Sequence, residues 1–365
     1  MSINRVSKHV VSKFDLWFWE KIGRSRYVNG MADKRLRYIS SINQLSAEQK
    51  LNIKGTWGRK YVCSKFFTLY SNRQSLPYNL SDYVPDDYYM NKVEPFFNHP
   101  LIARKNEDKN LYDLFFSDIR MPETVARQID GVYLDSSYSI IGQEEFVRLC
   151  HQAGEVIIKV ASESGGGHGI SFWSDNEDDG ELLHKVTRDR NIIVQKLVHQ
   201  HPSIAELHPN SINTLRIMTI MFEGQVQVMT HFIRMGIDGK KVDNVSSGGM
   251  LCGININEEG FMLETGYDED GRPLRAHPTT GVVFKGRSIP NFKACLDMVK
   301  KMAPRLSHMA KLISWDVAIE EDGQPTLIEA NLTYCDIGVY QIACGPVFGS
   351  GKLKESILKS VKASK

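Results

Sequence analysis

Hydrophobic positions change their period along this chain. Over the first hundred residues they follow helical spacing, and Val10, Phe14, Trp17 and Phe18 form one amphipathic stripe. Such a stripe suits a membrane surface or a partner as well as packing on its own domain. Polar loops such as SNRQSLPYNLSDYVPDD interrupt the periodic segments. Between about 100 and 155 the pattern predicts a charged helix start, a strand-like run IRMPETVAR and the helix QEEFVRLCHQAG ended by Gly154. Two β-rich runs follow, EVIIKVAS and GISFW, joined by ESGGGH, then an acidic tip SDNEDDGE and a helix near 180 to 190. Beyond these the chain reads mainly as strands. NIIVQKLV is one, and TLRIMTIMFEGQVQVMTHFIRMG is a hairpin folded at Glu223-Gly224. A helix over about 290 to 310, a final hairpin and a basic C-terminal helix complete the series. No internal repeat interrupts it.

The 365 residues exceed one ordinary domain, so two or three lobes around a cleft are expected. Lys plus Arg total 45 against 43 Asp plus Glu, a near balance that removes the electrostatic case for a nucleic-acid binder. Hydrophobic content of 42% with 24% charged residues excludes a disordered chain. Cys63, Cys150, Cys252, Cys295, Cys335 and Cys344 are scattered without a C-x-x-C pair, which favours reduced, buried thiols over a disulfide framework. Charges interrupt every apolar stretch near the N-terminus, so neither a signal peptide nor a transmembrane segment is expected. The expected location is cytoplasmic.

Candidate chemistry concentrates in SWDVAIEEDGQPTLIEAN, residues 314 to 331. A hairpin centred between Asp322 and Gly323 places Asp316 opposite Glu329. Strand alternation then puts Leu327, Glu329 and Asn331 on one face, with Ile328 and Ala330 on the other. Three oxygen donors converge, two of them anionic, a set that suits Mg2+ bridging phosphates. A solvated polar face is the alternative, and Pro325 implies a loop longer than two residues.

Lys159 precedes Glu163-Ser164-Gly165-Gly166-Gly167-His168-Gly169. Consecutive glycines let main-chain N–H groups cradle phosphate oxygens, and the lysine adds a point charge. No G-K-[ST] follows, so this is not a Walker A loop; an ordinary turn is the alternative. Arg216 and Arg234 lie on opposite arms of the 223–224 hairpin, one short diagonal apart, and can face a common anion. Asn244 follows in VDNVSSGGM. His199, His201 and His208 suggest zinc only weakly, since Pro202 intervenes and no cysteine is near. His277-Pro278 reads as a substrate-loop element or an X-Pro turn.

In order, Asp108-Lys109, MPETV, IIK with GGGHG, VQKLV, NTLR, IRMG, VDNVSSGG, and WDVAI with LIEAN resemble the ATP-grasp superfamily. The likeness is strongest to the sugar-transfer-associated ATP-grasp proteins and more distant to glutathione synthetase and α-L-glutamate ligase types. It covers roughly residues 85 to 350. The resemblance implies an α+β fold whose two lobes clamp ATP: a module over 96–350, with a glycine-loop lobe at about 155–198 and a metal-binding lobe at about 199–350. A helical region over 1–95 and a basic helix over 351–365 flank it.

The resemblance also implies roles. Lys109 and Lys159 touch ATP phosphates, and Gly165, Gly166, Gly167, His168 and Gly169 cover them. The backbone of Lys196 and Leu197, flanked by Gln195, pairs with adenine; many relatives carry Glu at the place of Lys196, so recognition there falls to the backbone. Glu206 is the candidate for the ribose. Asp316, Glu329 and Asn331 match magnesium ligands for one or two ions, with Mn2+ as the alternative. Arg234 and Asn244 match positions facing the γ-phosphate and an acyl phosphate, and Arg216 matches the arginine of NTLR. The implied activity is ATP-dependent carboxylate-amine ligation in surface polysaccharide or related conjugate biosynthesis. Its partners would be a small-molecule or glycan-linked carboxylate and an amine donor, with no nucleic acid. A kinase acting on a hydroxyl, or a non-catalytic nucleotide-binding partner of a glycosyltransferase docked through the N-terminal helix or at a membrane surface, are the alternatives.

Overall fold

The computed structural model describes residues 24–61, 64–73, 78–162, 169–255, 259–333 and 335–364. The aromatic stripe from Val10 to Phe18 lies outside them, as do Gly165, Gly166, Gly167 and His168. Two antiparallel sheets organise the rest. The first contains β1 (Thr124–Ile129), β2 (Val132–Asp135), β3 (Val156–Val160), β4 (Ile170–Trp173) and β5 (Asn191–Lys196), in the order β2-β1-β5-β3-β4. Its lobe therefore starts earlier than the expected residue 155, because β1 pairs with β5 and brings the MPETV run into the sheet. Helices Gln143–Ala153 and Asp179–Thr187 pack on it through Phe146, Cys150, Leu182 and Val186, around Trp173 and Val194. Among the described residues no helix is long and apolar enough to cross a membrane.

The second sheet has seven strands in the order β10-β9-β8-β7-β6-β11-β12. They are β6 (Leu215–Phe222), β7 (Gln225–Met235), β8 (Met250–Ile254), β9 (Met262–Asp268), β10 (Pro273–Leu274), β11 (Leu312–Ile319) and β12 (Pro325–Asn331). The β6–β7 turn is the expected one: Glu223 and Gly224 take φ of 49° and 75°, the positive values that a tight hairpin demands. β11 is buried along its whole length between β6 and β12. Ile313, Trp315, Val317 and Ile319 enter a core completed by helix Phe292–Met302. Leu312 belongs to a second core, with Met218 and Ile220 of β6.

That second core explains the N-terminal third of the chain. Val28, Ile53, Phe67, Tyr70, Val84 and Val93 share it with Phe232 and Leu251 of the sheet and with Ile357 and Val361 of the C-terminal helix Lys352–Ala363. The helical region, whose helices continue past residue 95 to Tyr112–Phe115, thus covers one sheet face through its first part. An uncovered β11 would expose apolar side chains on that face, and this burial is what holds the two parts together.

One polar residue ties the cover to the sheet. Asn98, 1% exposed, donates from Nδ2 to the carbonyls of Leu312 and Leu332, the latter at 2.7 Å. Its Oδ1 accepts from the amides of Lys311 and Leu312 at 2.8 and 2.9 Å. The start of β11 and the end of β12 are thereby clamped together. Removing the amide leaves several buried main-chain groups without partners, so Asn98→Ala is expected to lower unfolding free energy by about 2–4 kcal/mol. Urea denaturation checks this; a wild-type midpoint would refute the clamp.

Candidate active site

The β11–β12 hairpin builds the site through a register shift. Near the turn Ile319 pairs with Pro325 and Val317 with Leu327, so this part is centred on Asp322 and not between 322 and 323. A bulge at Ile328 then adds one residue to β12, and Asp316 pairs with Glu329. The expected pairing holds, but the expected faces change. Leu327 turns into the core at 1% exposure, while Ile328 joins Glu329 and Asn331 on the wall of a cleft. Bulges re-aim side chains in this way beside functional sites.

Asp316 is 2% exposed and lies between two guanidiniums. Arg216, its cross-strand neighbour on β6, holds it through Nε to Oδ1 and through Nη2 to Oδ2 at 2.9 Å. Arg234 reaches Oδ2 from β7 at 3.0 Å. The two arginines do share an anion, as their diagonal predicts, and in the protein itself that anion is Asp316. Burial alone would raise its pKa, but Arg216 and Arg234 outweigh burial and hold the carboxyl below its ordinary range. Burial likewise disfavours the charged form of Arg216, and Asp316 more than reverses this.

Arg234 also donates from Nη2 to Thr214 Oγ1 at 2.6 Å, and its Nε lies 3.5 Å from Asp243 Oδ2. Asp243 in turn accepts from the Thr214 amide at 3.0 Å. Asn244 accepts from the amide of Ser246 at 3.2 Å and shapes the turn at the cleft wall.

Two lysines approach from the other side. Lys109 Nζ lies 2.8 Å from Glu329 Oε1, and its amide donates to the Ala161 carbonyl at 2.9 Å, which fastens it beside the end of β3. Lys159 on β3 is 7% exposed and donates to Gln195 Oε1 at 3.0 Å. Burial, with repulsion from Lys109, pushes its pKa down to about 8. Gly169 closes the glycine segment onto β3: its carbonyl accepts from the Val160 amide at 2.9 Å, and a Cβ there would lie 2.4 Å from Val160 Cγ2. The cleft between the sheets has a volume of about 800 Å3. Lys241 spans it, its ammonium 5.0 Å from the centroid of Phe172 on β4.

The donor set fits a hard divalent cation. Asn331 donates from Nδ2 to the Ser314 carbonyl at 3.0 Å and to Asp316 Oδ2 at 3.4 Å, which directs its Oδ1 elsewhere. A carboxylate oxygen accepts two bonds, so Asp316 Oδ1 keeps a lone pair beside its guanidinium. Among the described residues no group of three or more His, Cys, Asp or Glu side chains converges. His201 accepts from the Ser203 amide at 3.3 Å at a helix start, and His208 Nδ1 meets Ser211 Oγ at 3.0 Å. His277 is structural: it donates to the Gly236 carbonyl at 2.7 Å and accepts from the amides of Thr279 and Thr280.

Other expected residues are placed differently. Glu206 is absent from the cleft wall; its carboxylate pairs with Arg287 at 2.9 Å on the outer surface. Glu321 lines the cleft instead, its amide donating to the His199 carbonyl at 2.9 Å. Lys196 and Leu197 line the cleft as expected, but the Lys196 ammonium turns to Glu123 at 2.9 Å and its amide donates to the Glu123 carbonyl. That N–H is therefore engaged, so a base at this position would meet other main-chain groups of the segment. Glu107 escaped the sequence reading although it sits two residues before Lys109. Burial raises its pKa, while its Oε1 accepts from the amides of Leu332 and Thr333 at 2.7 and 3.1 Å, its Oε2 accepts from the Thr333 hydroxyl at 2.6 Å, and together they hold the chain just after Asn331.

A family model described as sugar-transfer associated ATP-grasp matches residues 87–355. Comparison with the curated proteins finds no match. Among solved structures the chain is similar to D-alanyl-alanine synthetase A from Vibrio cholerae, with 12% identity, 71% of this chain and 65% of that one covered, and a TM-score of 0.42. It is also similar to an L-amino acid ligase from Bacillus licheniformis, with 12% identity, coverage of 70% and 48%, and a TM-score of 0.40. The N5-carboxyaminoimidazole synthase of Aspergillus clavatus gives 10% identity, coverage of 72% and 52%, and a TM-score of 0.42. The chain spans between 48% and 65% of the length of these proteins.

Asp316→Asn keeps the shape and removes the charge that two buried guanidiniums share. A loss of about 3 kcal/mol in stability at pH 7 is expected, as for a broken buried pair. Because the folded carboxyl titrates below its ordinary 3.8, this contribution is complete above that value and lost as pH falls through the lower folded one. Urea denaturation from pH 7 to pH 3 reads both effects; a variant as stable as wild type at pH 7 contradicts the assignment.

Proposed function

The chain belongs to the sugar-transfer associated ATP-grasp family, and from that premise we propose that it is an ATP-dependent carboxylate-amine ligase working through an acyl phosphate. One observation carries the reading. Arg216 and Arg234 are held on Asp316, and Lys109 on Glu329, in the same cleft as buried Lys159. These are the cations that a triphosphate needs and the carboxylates that its divalent cation needs, kept paired with one another. Asp316, Glu329 and Asn331 would hold Mg2+, which would supply positive charge against the phosphates.

The side chains then have separable tasks. Lys109 and Lys159 neutralise phosphate oxygens from the β3 side. Arg234, positioned by Thr214 and Asp243, stabilises charge that develops as a substrate carboxylate attacks the γ-phosphorus and ADP leaves. Arg216 keeps Asp316 ionised and oriented. An amine then attacks the acyl carbon, phosphate departs and an amide remains, with no side-chain nucleophile required. Closure of the cleft excludes the water that would hydrolyse the acyl phosphate. The sugar-transfer association in the family's description supports an acceptor belonging to a surface polysaccharide or related conjugate.

Hydroxylamine added with ATP, Mg2+ and a panel of sugar acids and amino acids tests the chemistry. An acid-dependent hydroxamate is expected, reduced about 100-fold or more in Glu329→Gln. A stable phosphorylated product without hydroxamate would instead establish transfer to a hydroxyl.

The Lys159 ammonium offers an independent check. Its pKa of about 8 means that it is charged at neutral pH, at a cost to folding that is relieved as pH rises from about 8 towards the ordinary 10.5. Nucleotide affinity should run the other way, falling as pH rises through 8, with proton uptake on binding there. In Lys159→Met the affinity is lower at pH 7 and this component is absent. Calorimetry in buffers of different ionisation enthalpy measures it, and an unchanged pH profile in the variant would sink the role given to Lys159.

A further inference from the structure

The cleft continues past the reaction centre. Arg216 Nη1 donates to the Tyr340 hydroxyl at 3.4 Å, and from Tyr340 the wall runs through Val339 and Asp336 to Tyr27, Met31 and Arg35. The last three are spaced four residues apart on helix Arg24–Arg37, so they form one stripe on its cleft side. They also lie outside residues 87–355. This end of the cleft is therefore supplied by the chain's own helical region.

Arg35 is the notable group there. It is 2% exposed, yet its one hydrogen bond among the described residues is from Nε to the main-chain oxygen of Glu269, at 3.4 Å, and it forms no ion pair among them. Three acids lie around it, each with a hydrogen-bond or ionic partner of its own. Asp86 accepts from the Tyr70 hydroxyl, and burial, reinforced by Asp336, pushes its carboxyl up to about 8. Asp336 Oδ1 accepts from the Gly338 amide at 2.8 Å, and the Glu269 carboxylate pairs with Lys34 at 3.2 Å. Gly338 makes room for the group and its acidic neighbours: a Cβ there would lie 2.4 Å from Asp86 Oδ2, 2.7 Å from Arg35 Nη1 and 3.3 Å from Asp336 Oδ1. The Tyr27 phenol stands close enough to Arg35, Asp336, Glu269 and Lys34 to feel each charge. A buried guanidinium with most of its N–H fork unengaged is matched by a planar or tetrahedral oxyanion.

We propose that this end of the cleft is a subsite for a second oxyanion on the acceptor substrate, a carboxylate or a phosphate monoester gripped by Arg35 beside Tyr27. The helical region thereby selects which acceptor reaches the reaction centre. The term acceptor rests on the ligase reading; the oxyanion site itself does not.

The test uses the full chain saturated with AMPPNP and Mg2+, titrated calorimetrically with inorganic phosphate and, separately, with malonate. At least one probe is expected to bind, and the stronger of the two identifies the phosphate or the carboxylate source. Arg35→Gln should weaken that binding about tenfold or more, with AMPPNP affinity unchanged within about twofold. Met31→Glu places a carboxylate one helical turn from Arg35 and should have the same effect, which covers the case in which the Arg35 variant fails to fold. Binding of neither anion to wild type, or wild-type affinity in the folded variants, overturns the proposal. Failure of wild type to bind AMPPNP would count against the ligase reading alone, and the same anion titrations without nucleotide would still decide the subsite.

Discussion

A single buried carboxylate governs the arrangement of this protein. Asp316 sits on β11, the strand buried along its whole length, and two guanidiniums from β6 and β7 close on it. A charge in that position is tolerable only when paired and hydrogen-bonded. The pairing fixes side-chain orientation across three strands at once. Everything else in the cleft is placed relative to that row, with Glu329 opposite Asp316 and Lys109 opposite Glu329.

Within the cleft, such pairing repeats the chain's near balance of charge. Lysines and arginines that would otherwise form a basic patch are matched by Asp316, Glu329 and Asp243 within one cavity. Charges held this way are pre-oriented for a triphosphate and its cation, because exchanging one ionic partner for another is easier than dehydrating free ions. The N-terminal helices take part as well. They cover one face of the second sheet, and through Tyr27, Met31 and Arg35 they wall the cleft at its far end. A single region thus serves both stability and access to the site.

Much of the site was legible in the sequence, and the limits are instructive. The 223–224 hairpin and the diagonal of Arg216 and Arg234 follow from local turn chemistry and strand alternation, and both appear in the fold. The spacing also predicts the pairing of Asp316 with Glu329, which the fold reaches by another route: the turn is centred on Asp322, and the bulge at Ile328 restores the register. Bulges depend on packing against a third element, here Arg120, whose carbonyl accepts from the Leu327 amide at 3.0 Å. No local pattern announces that contact. Glu206 was misplaced for a similar reason, since a carboxylate's partner at a distant position, Arg287, cannot be read from spacing.

What the sequence determined by itself is therefore local in origin: the alternation of strands, the turn residues, the balance of charge and the ordered motifs that mark the family. These depend on dihedral preference and on neighbours a few residues away. Tertiary structure alone decided which cations meet which carboxylates, which hydrogen bonds engage the Lys196 amide, and that Arg35, more than 150 residues from Arg216 in sequence, shares its cleft. Those are outcomes of burial. Once water is removed, each polar group must find a partner in space, and distance along the chain no longer matters.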